Sequence, residues 1–129
     1  MSSLLDRLYD GIVRTRGRGV ANATALVTIG AAGAVAGATG DTNIVTITKE
    51  SGAGTYTATF VGAVSAIRSV DVIPVLQSTK TVTVFVSAIS LTTASVTFAF
   101  VDKADTLTNL ASGDKFILSV EFSSQLGTA

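Results

Sequence analysis

Residues Ile44 to Phe60, IVTITKESGAGTYTATF, constrain the fold more tightly than any other stretch of the chain. Two runs of period-2 character, Ile44 to Lys49 and Thr55 to Phe60, flank Ser51-Gly52-Ala53-Gly54, which holds two residues that tolerate positive φ. This pattern predicts a β-hairpin. In its second run Tyr56, Ala58 and Phe60 fall on one face and Thr55, Thr57 and Thr59 on the other, because strand side chains alternate. A hairpin alone is marginal in water, so its apolar face needs further strands to cover it.

The rest of the chain supplies them. Ala25 to Ile29 is a candidate strand. The small-residue stretch Gly30 to Gly40 reads as a loop or flat strand that packs against a neighbouring subunit, with a plain connector as the alternative. Its run from Ala25 to Ala38 is too short for a membrane span, which takes about 20 apolar residues, and Thr28 and glycines interrupt it. Val61 to Ser65 reads as a bend. Ile67 to Leu76, IRSVDVIPVL, is apolar on both sides, as expected of a strand covered on two faces, with Pro74 pushing its end toward a sheet edge or bulge. A turn at Gln77 to Lys80 precedes Thr81 to Val86, with Val82, Val84 and Val86 inward. Ser90 to Thr93 turns again before Val96, Phe98 and Phe100 repeat the alternation on Ala94 to Val101. A polar connection, Asp102 to Asp114, leads to a last strand, Lys115 to Phe122, with Phe116, Leu118, Val120 and Phe122 on one face. The expected fold is all-β, an antiparallel sandwich of about seven strands with a barrel as the alternative.

The N-terminal segment has a different texture. Ser3 is placed to cap a short helix, and Leu4, Leu5, Leu8, Tyr9 and Ile12 form an apolar stripe at spacings of three and four. A helix of about ten residues does not hold alone in water, so the stripe needs a surface. Arg14, Arg16 and Arg18 follow, separated by small residues. Residues 1–23 carry a net charge of +2 from four arginines and two aspartates, and the remaining 106 residues carry −2 from five basic and seven acidic groups. The chain therefore divides into a basic arm, 1–23, and a sandwich domain, 24–129. Three closely spaced arginines without interleaved aromatics make a shallow footprint for nucleic acid, which is not an expected partner. Asp6 and Asp10 break the apolar core a signal peptide requires, so synthesis in a cytoplasm is expected.

Composition narrows the function classes. Charged residues are 14% of the 129, against about 25% in ordinary soluble domains, and the net charge is zero. Little self-repulsion would keep copies apart, which favours a subunit of an assembly. Cysteine and histidine are both absent. Their loss removes disulfides, thiolate metal sites and the commonest general base and metal ligand. A nucleophilic Ser or Thr would have to rely on Lys or a carboxylate, and Lys49, Lys80, Lys103 and Lys115 all fall at turns or strand ends. The nearest carboxylate pair, Asp102 and Asp105, reads as a solvated turn. Asp102, Asp105, Asn109 and Asp114 lack the alternate-position spacing of a calcium loop. Gly30, Gly33, Gly37 and Gly40 do not open a helix in the manner of a phosphate cradle. No catalytic residue, cofactor or metal is expected, and no enzyme.

Gly52-Ala53-Gly54-Thr55-Tyr56-Thr57-Ala58-Thr59-Phe60-Val61-Gly62-Ala63-Val64-Ser65 resembles a recurring pattern of small β-sandwich modules in bacteriophage structural proteins. In those modules a glycine turn leads into Thr-Tyr, alternating strand residues, Phe and then Val-Ser. Phe116-Ile117-Leu118-Ser119-Val120-Glu121-Phe122 is similar to their closing strand. A chain of one sandwich and an arm is most similar to a capsid decoration, or cement, protein. The resemblance implies a virion location, a mechanical role, homo-oligomers such as trimers, and a major capsid or other virion protein as partner. The residues expected to make the partner contact are Leu4, Leu5, Leu8, Tyr9, Ile12, Arg14, Arg16 and Arg18. The alternative is a ligand- or carbohydrate-binding module of a phage tail, fibre or surface adhesin. That reading requires clustered exposed aromatics, from a chain with two Tyr, six Phe and no Trp.

Overall fold

A computed structural model describes residues 20–62, 64–77 and 81–124. The expected partner-contact residues Leu4 to Arg18 lie outside the described residues, as does the short helix predicted there.

Eight strands are described: β1 (Val20–Ile29), β2 (Val35–Gly40), β3 (Val45–Lys49), β4 (Thr55–Phe60), β5 (Val64–Val75), β6 (Thr83–Ser90), β7 (Ser95–Val101) and β8 (Lys115–Ser124). They form two four-stranded sheets, ordered β2-β1-β8-β5 and β3-β4-β7-β6. Every neighbouring pair is antiparallel. The sheets pack as an open sandwich and do not close into a barrel. Strands cross between layers after β2, β4, β5 and β7, so the two hydrophobic faces are assembled from segments distant in sequence.

The hairpin forms in the register its alternation demands, from Val45 opposite Phe60 to Lys49 opposite Tyr56. Its turn works because Gly54 takes φ +62, a left-handed conformation costly for residues with a Cβ. A Cβ there would also run into the carbonyl oxygen of Thr108. From β4 the inward residues Tyr56 and Ala58 pair across to Phe98 and Val96 of β7. Phe116, Leu118, Val120 and Phe122 of β8 face them from the other sheet, and all are buried. Tyr56, Phe98, Phe100 and Phe116 form one aromatic cluster, with centroid separations from 5.3 to 6.2 Å. Edge-on and tilted contacts suit the ring quadrupoles. Phe60 and Phe122, 4.8 Å apart, close one end of the core.

One of two open readings, loop or flat strand, is decided, and one expectation is revised. The small-residue stretch forms a 3-10 turn, Ala31–Gly33, and then β2, an eighth strand pairing with β1 through Ala25↔Gly40 to Ile29↔Val35. Runs of Gly and Ala carry little strand propensity, and β1 supplies the ladder that makes the strand. The strand at 67–76 is longer, β5, and it is not covered on two faces. It ends sheet A as an edge strand, with Val72 buried inward and Ile73 49% exposed outward. Ile73 lies in register with Ile117 of β8 and, beyond it, Leu26 of β1, so its outward apolar character belongs to a surface row.

Candidate functional site

Sheet B carries a single charged residue on its four strands, Lys49 at the end of β3. That ammonium turns into the hairpin loop, where Nζ donates to the carbonyls of Glu50 at 2.8 Å and Gly52 at 2.7 Å. The outward face of the sheet is built from hydroxyls in register. Thr48, Thr57 and Thr97 make one row across β3, β4 and β7, and Thr46, Thr59 and Ser95 make the next. Many of the hydroxyls satisfy one another or the backbone. The Oγ1 atoms of Thr57 and Thr97 are 3.2 Å apart, Thr48 Oγ1 donates to the Thr57 carbonyl, and Thr93 and Ser95 hydroxyls meet at 2.8 Å. Such a face can approach another surface without burying an unpaired charge, the costliest failure at an interface.

The same sheet ends in β6, and here the sequence reasoning fell short. Register with β7 sets Val84, Val86 and Ile89 on the core side, opposite Phe100, Phe98 and Val96. Val82 and Val84 pack against the core as expected, but Val86 is 40% and Ile89 52% exposed. Phe85 on the other face is 45% exposed. Strand β6 contains no charged residue and no proline, the usual guards of a sheet edge, and its one irregularity is a bulge between Val86 and Ala88. Edge strand β5, in contrast, carries Arg68, Asp71 and Pro74 and two bulges.

Several of the polar residues considered from the sequence are engaged in holding turns. Asp102 Oδ1 accepts from the amides of Ala104 and Thr106, at 2.9 and 3.1 Å, which shapes its own turn. Asp114 is buried, and its two carboxylate oxygens accept from Gln77 N at 2.8 Å and Ala111 N at 3.0 Å, pinning the end of β5 to the turn before β8. Asn109 Oδ1 accepts from Gly54 N at 2.8 Å and so serves the hairpin turn. Asp102, Asp114 and Asn109 thus each serve a turn, and no group of three or more Asp or Glu placed to hold a metal ion occurs among the described residues. Lys115 donates to Thr28 Oγ1 at 3.2 Å, Lys103 sits in an exposed turn, and Lys80 lies outside the described residues. Gly33, one of the glycines weighed as a phosphate cradle, instead accepts a hydrogen bond at its carbonyl from the Tyr56 hydroxyl, at 2.5 Å. Burial pushes the Tyr56 phenol up to about 12. Of the aromatic rings among the described residues, six are buried and Phe85 alone is exposed. No described helix is long and apolar enough to cross a membrane.

Comparison of the chain with protein-family models, with curated proteins and with solved structures returns no match.

Proposed function

We propose that this chain is a structural subunit of a bacteriophage virion, a decoration or cement protein that stabilises a particle through contact area. The observation that carries the reading is sheet B: a hydroxyl-lined outer face whose strands hold one charge, with Phe85 of the edge strand exposed on that same face. Exposed apolar surface beside an uncharged polar face is the composition of an interface core and its rim. The charge-poor, net-neutral composition and the resemblance of Gly52 to Ser65 to phage β-sandwich modules support the same role. In this reading the sandwich associates with further copies through sheet B. The arm, Leu4, Leu5, Leu8, Tyr9, Ile12, Arg14, Arg16 and Arg18, docks on a sister subunit or on a capsid protein.

The test is addition of the purified chain to capsid shells that lack it. Binding, together with greater resistance of the shells to heat, is the expected result, and deletion of residues 2–19 should abolish it. Undiminished binding by the truncated chain would contradict the role of the arm, and failure of the full chain to bind would contradict the reading as a whole.

A further inference from the structure

On β6 the sandwich leaves open what its other inward strand positions bury. Val86 and Ile89 share a face with Phe98 and Val96, which are fully buried, yet both remain about half exposed. Leu91, in the turn after β6, extends the uncovered patch at one end of the sandwich. That turn is tied back by Ala94 N, which donates to the Leu91 carbonyl at 3.3 Å, and it meets the end of β4 where Phe60 N donates to the Ala94 carbonyl at 2.8 Å. We infer that this patch is the seat of the chain's own N-terminal stripe, with Leu4, Leu5, Leu8, Tyr9 and Ile12 packed over Val86, Ile89 and Leu91. The inference rests on reading the first residues as a docking arm, and it gives that arm its receptor.

The position of Val20 is the first argument. Val20 pairs with Ser123, beside Phe122, whose ring touches Phe60 across the layers at 4.8 Å. The described chain therefore starts at the same end of the sandwich as Ile89 and Leu91. From β1 the route crosses β8 and β5 and then the interlayer gap, roughly 15 Å of strand spacing and 10 Å of sheet spacing taken at right angles. Residues 13–19 span up to about 23 Å when extended, enough for that diagonal. Length agrees as well. Val86 to Leu91 covers roughly 16 Å of strand, and a helical stripe from Leu4 to Ile12 is about 12 Å long.

Chemistry supplies the second argument. The stripe is apolar on one side and cannot stay helical without a surface, while the patch is apolar and carries no charge to repel or to pair. Of the other segments that reach this end, the residues after Ser124 offer one large apolar side chain, Leu126, too little to cover the patch.

Because the chain has no cysteine, an introduced pair is its only thiol pair. In the full chain, Leu8→Cys with Ile89→Cys should form a disulfide under mild oxidation. The control is Leu8→Cys with Thr46→Cys, which sits on the outer face at the far edge of the same sheet. A yield several-fold above the control supports the seat, and a yield no greater overturns it. A link within one chain places the arm on its own subunit and removes it from intersubunit docking, so the seat stands while the role of the arm in the proposed function falls. A link between chains puts the stripe on a sister copy, which overturns the seat on its own subunit and supports the docking arm of the proposed function. A second measurement does not depend on the disulfide: maleimide should label the lone Ile89→Cys thiol several-fold more slowly than the same thiol in a chain also carrying Leu5→Ser and Leu8→Ser. Equal labelling rates would overturn the seat.

Discussion

Gly54 shows how one residue without a side chain holds a hairpin and a distant loop together. Its φ of +62 makes the turn, its amide donates to Asn109 Oδ1 at 2.8 Å, and its carbonyl accepts from Phe100 N at 3.0 Å. Gly54→Ala adds a left-handed strain of about 1–2 kcal/mol and a backbone collision with Thr108. The expected loss is about 2–4 kcal/mol, read as a drop of roughly 10 °C in thermal midpoint. Tyr56 makes a second residue-level prediction. Its folded pKa of about 12 lies above the ordinary value of 10.0, because burial disfavours the phenolate. The unfolded chain therefore releases this proton first as pH rises. Stability from Tyr56 is fully present below pH 10 and is lost between 10 and 12, by at most about 1.4 kcal/mol per pH unit. Urea midpoints of the wild type should fall across that range more steeply than those of Tyr56→Phe. Tyr56→Phe should itself be less stable at pH 7 by about 1–2 kcal/mol, since the buried Gly33 carbonyl loses its donor.

Strands in this chain are legible where alternation is uninterrupted. Tyr56, Ala58 and Phe60, then Val96, Phe98 and Phe100, then Phe116 to Phe122 keep one parity, and each set is buried as read. Bulges are visible only in hindsight, as changes of parity. On β5 the inward apolar positions move from Val64 to Ile67 and back to Val70, and the register shifts fall between Val64 and Ala66 and between Ile67 and Ser69. On β6 the step from Val86 to Ile89 marks the bulge at Ser87. Burial was less legible than strand identity, because whether an apolar strand is central or an edge depends on partners distant in sequence, as for β5, Val86 and Ile89. The surface row Ile73, Ile117 and Leu26 was hidden for the same reason. The hydroxyl face of sheet B was readable as threonines on alternate positions, but not as rows, since rows require the register between β3, β4 and β7. Placing a charge in that face makes an element-level prediction. Thr57→Lys should leave folding stability within about 1 kcal/mol, because the side chain points outward, while weakening association between copies. Thermal melts and sedimentation of the same samples separate the two effects.

At the scale of the molecule, the sandwich divides its surfaces unequally. Sheet A places Arg68, Asp71, Lys115 and Glu121 on β5 and β8, whereas the strands of sheet B carry Lys49 alone. Like charges on facing copies would be costly, and sheet B avoids them. Among the described residues the core is complete where four aromatic rings meet and incomplete along β6, an edge of the sheet that carries least charge. The proposed role as a subunit of an assembly calls for such an asymmetry, with one side solvated and the other covered by a partner. The most direct measurement is the sedimentation equilibrium mass of the full chain, from low micromolar concentration upward. A multiple of 13.1 kDa is expected, falling toward one chain's mass when Thr57→Lys and Phe85→Lys, both on the outer face of sheet B, are combined. A mass of 13.1 kDa for the unaltered chain at every concentration would contradict it.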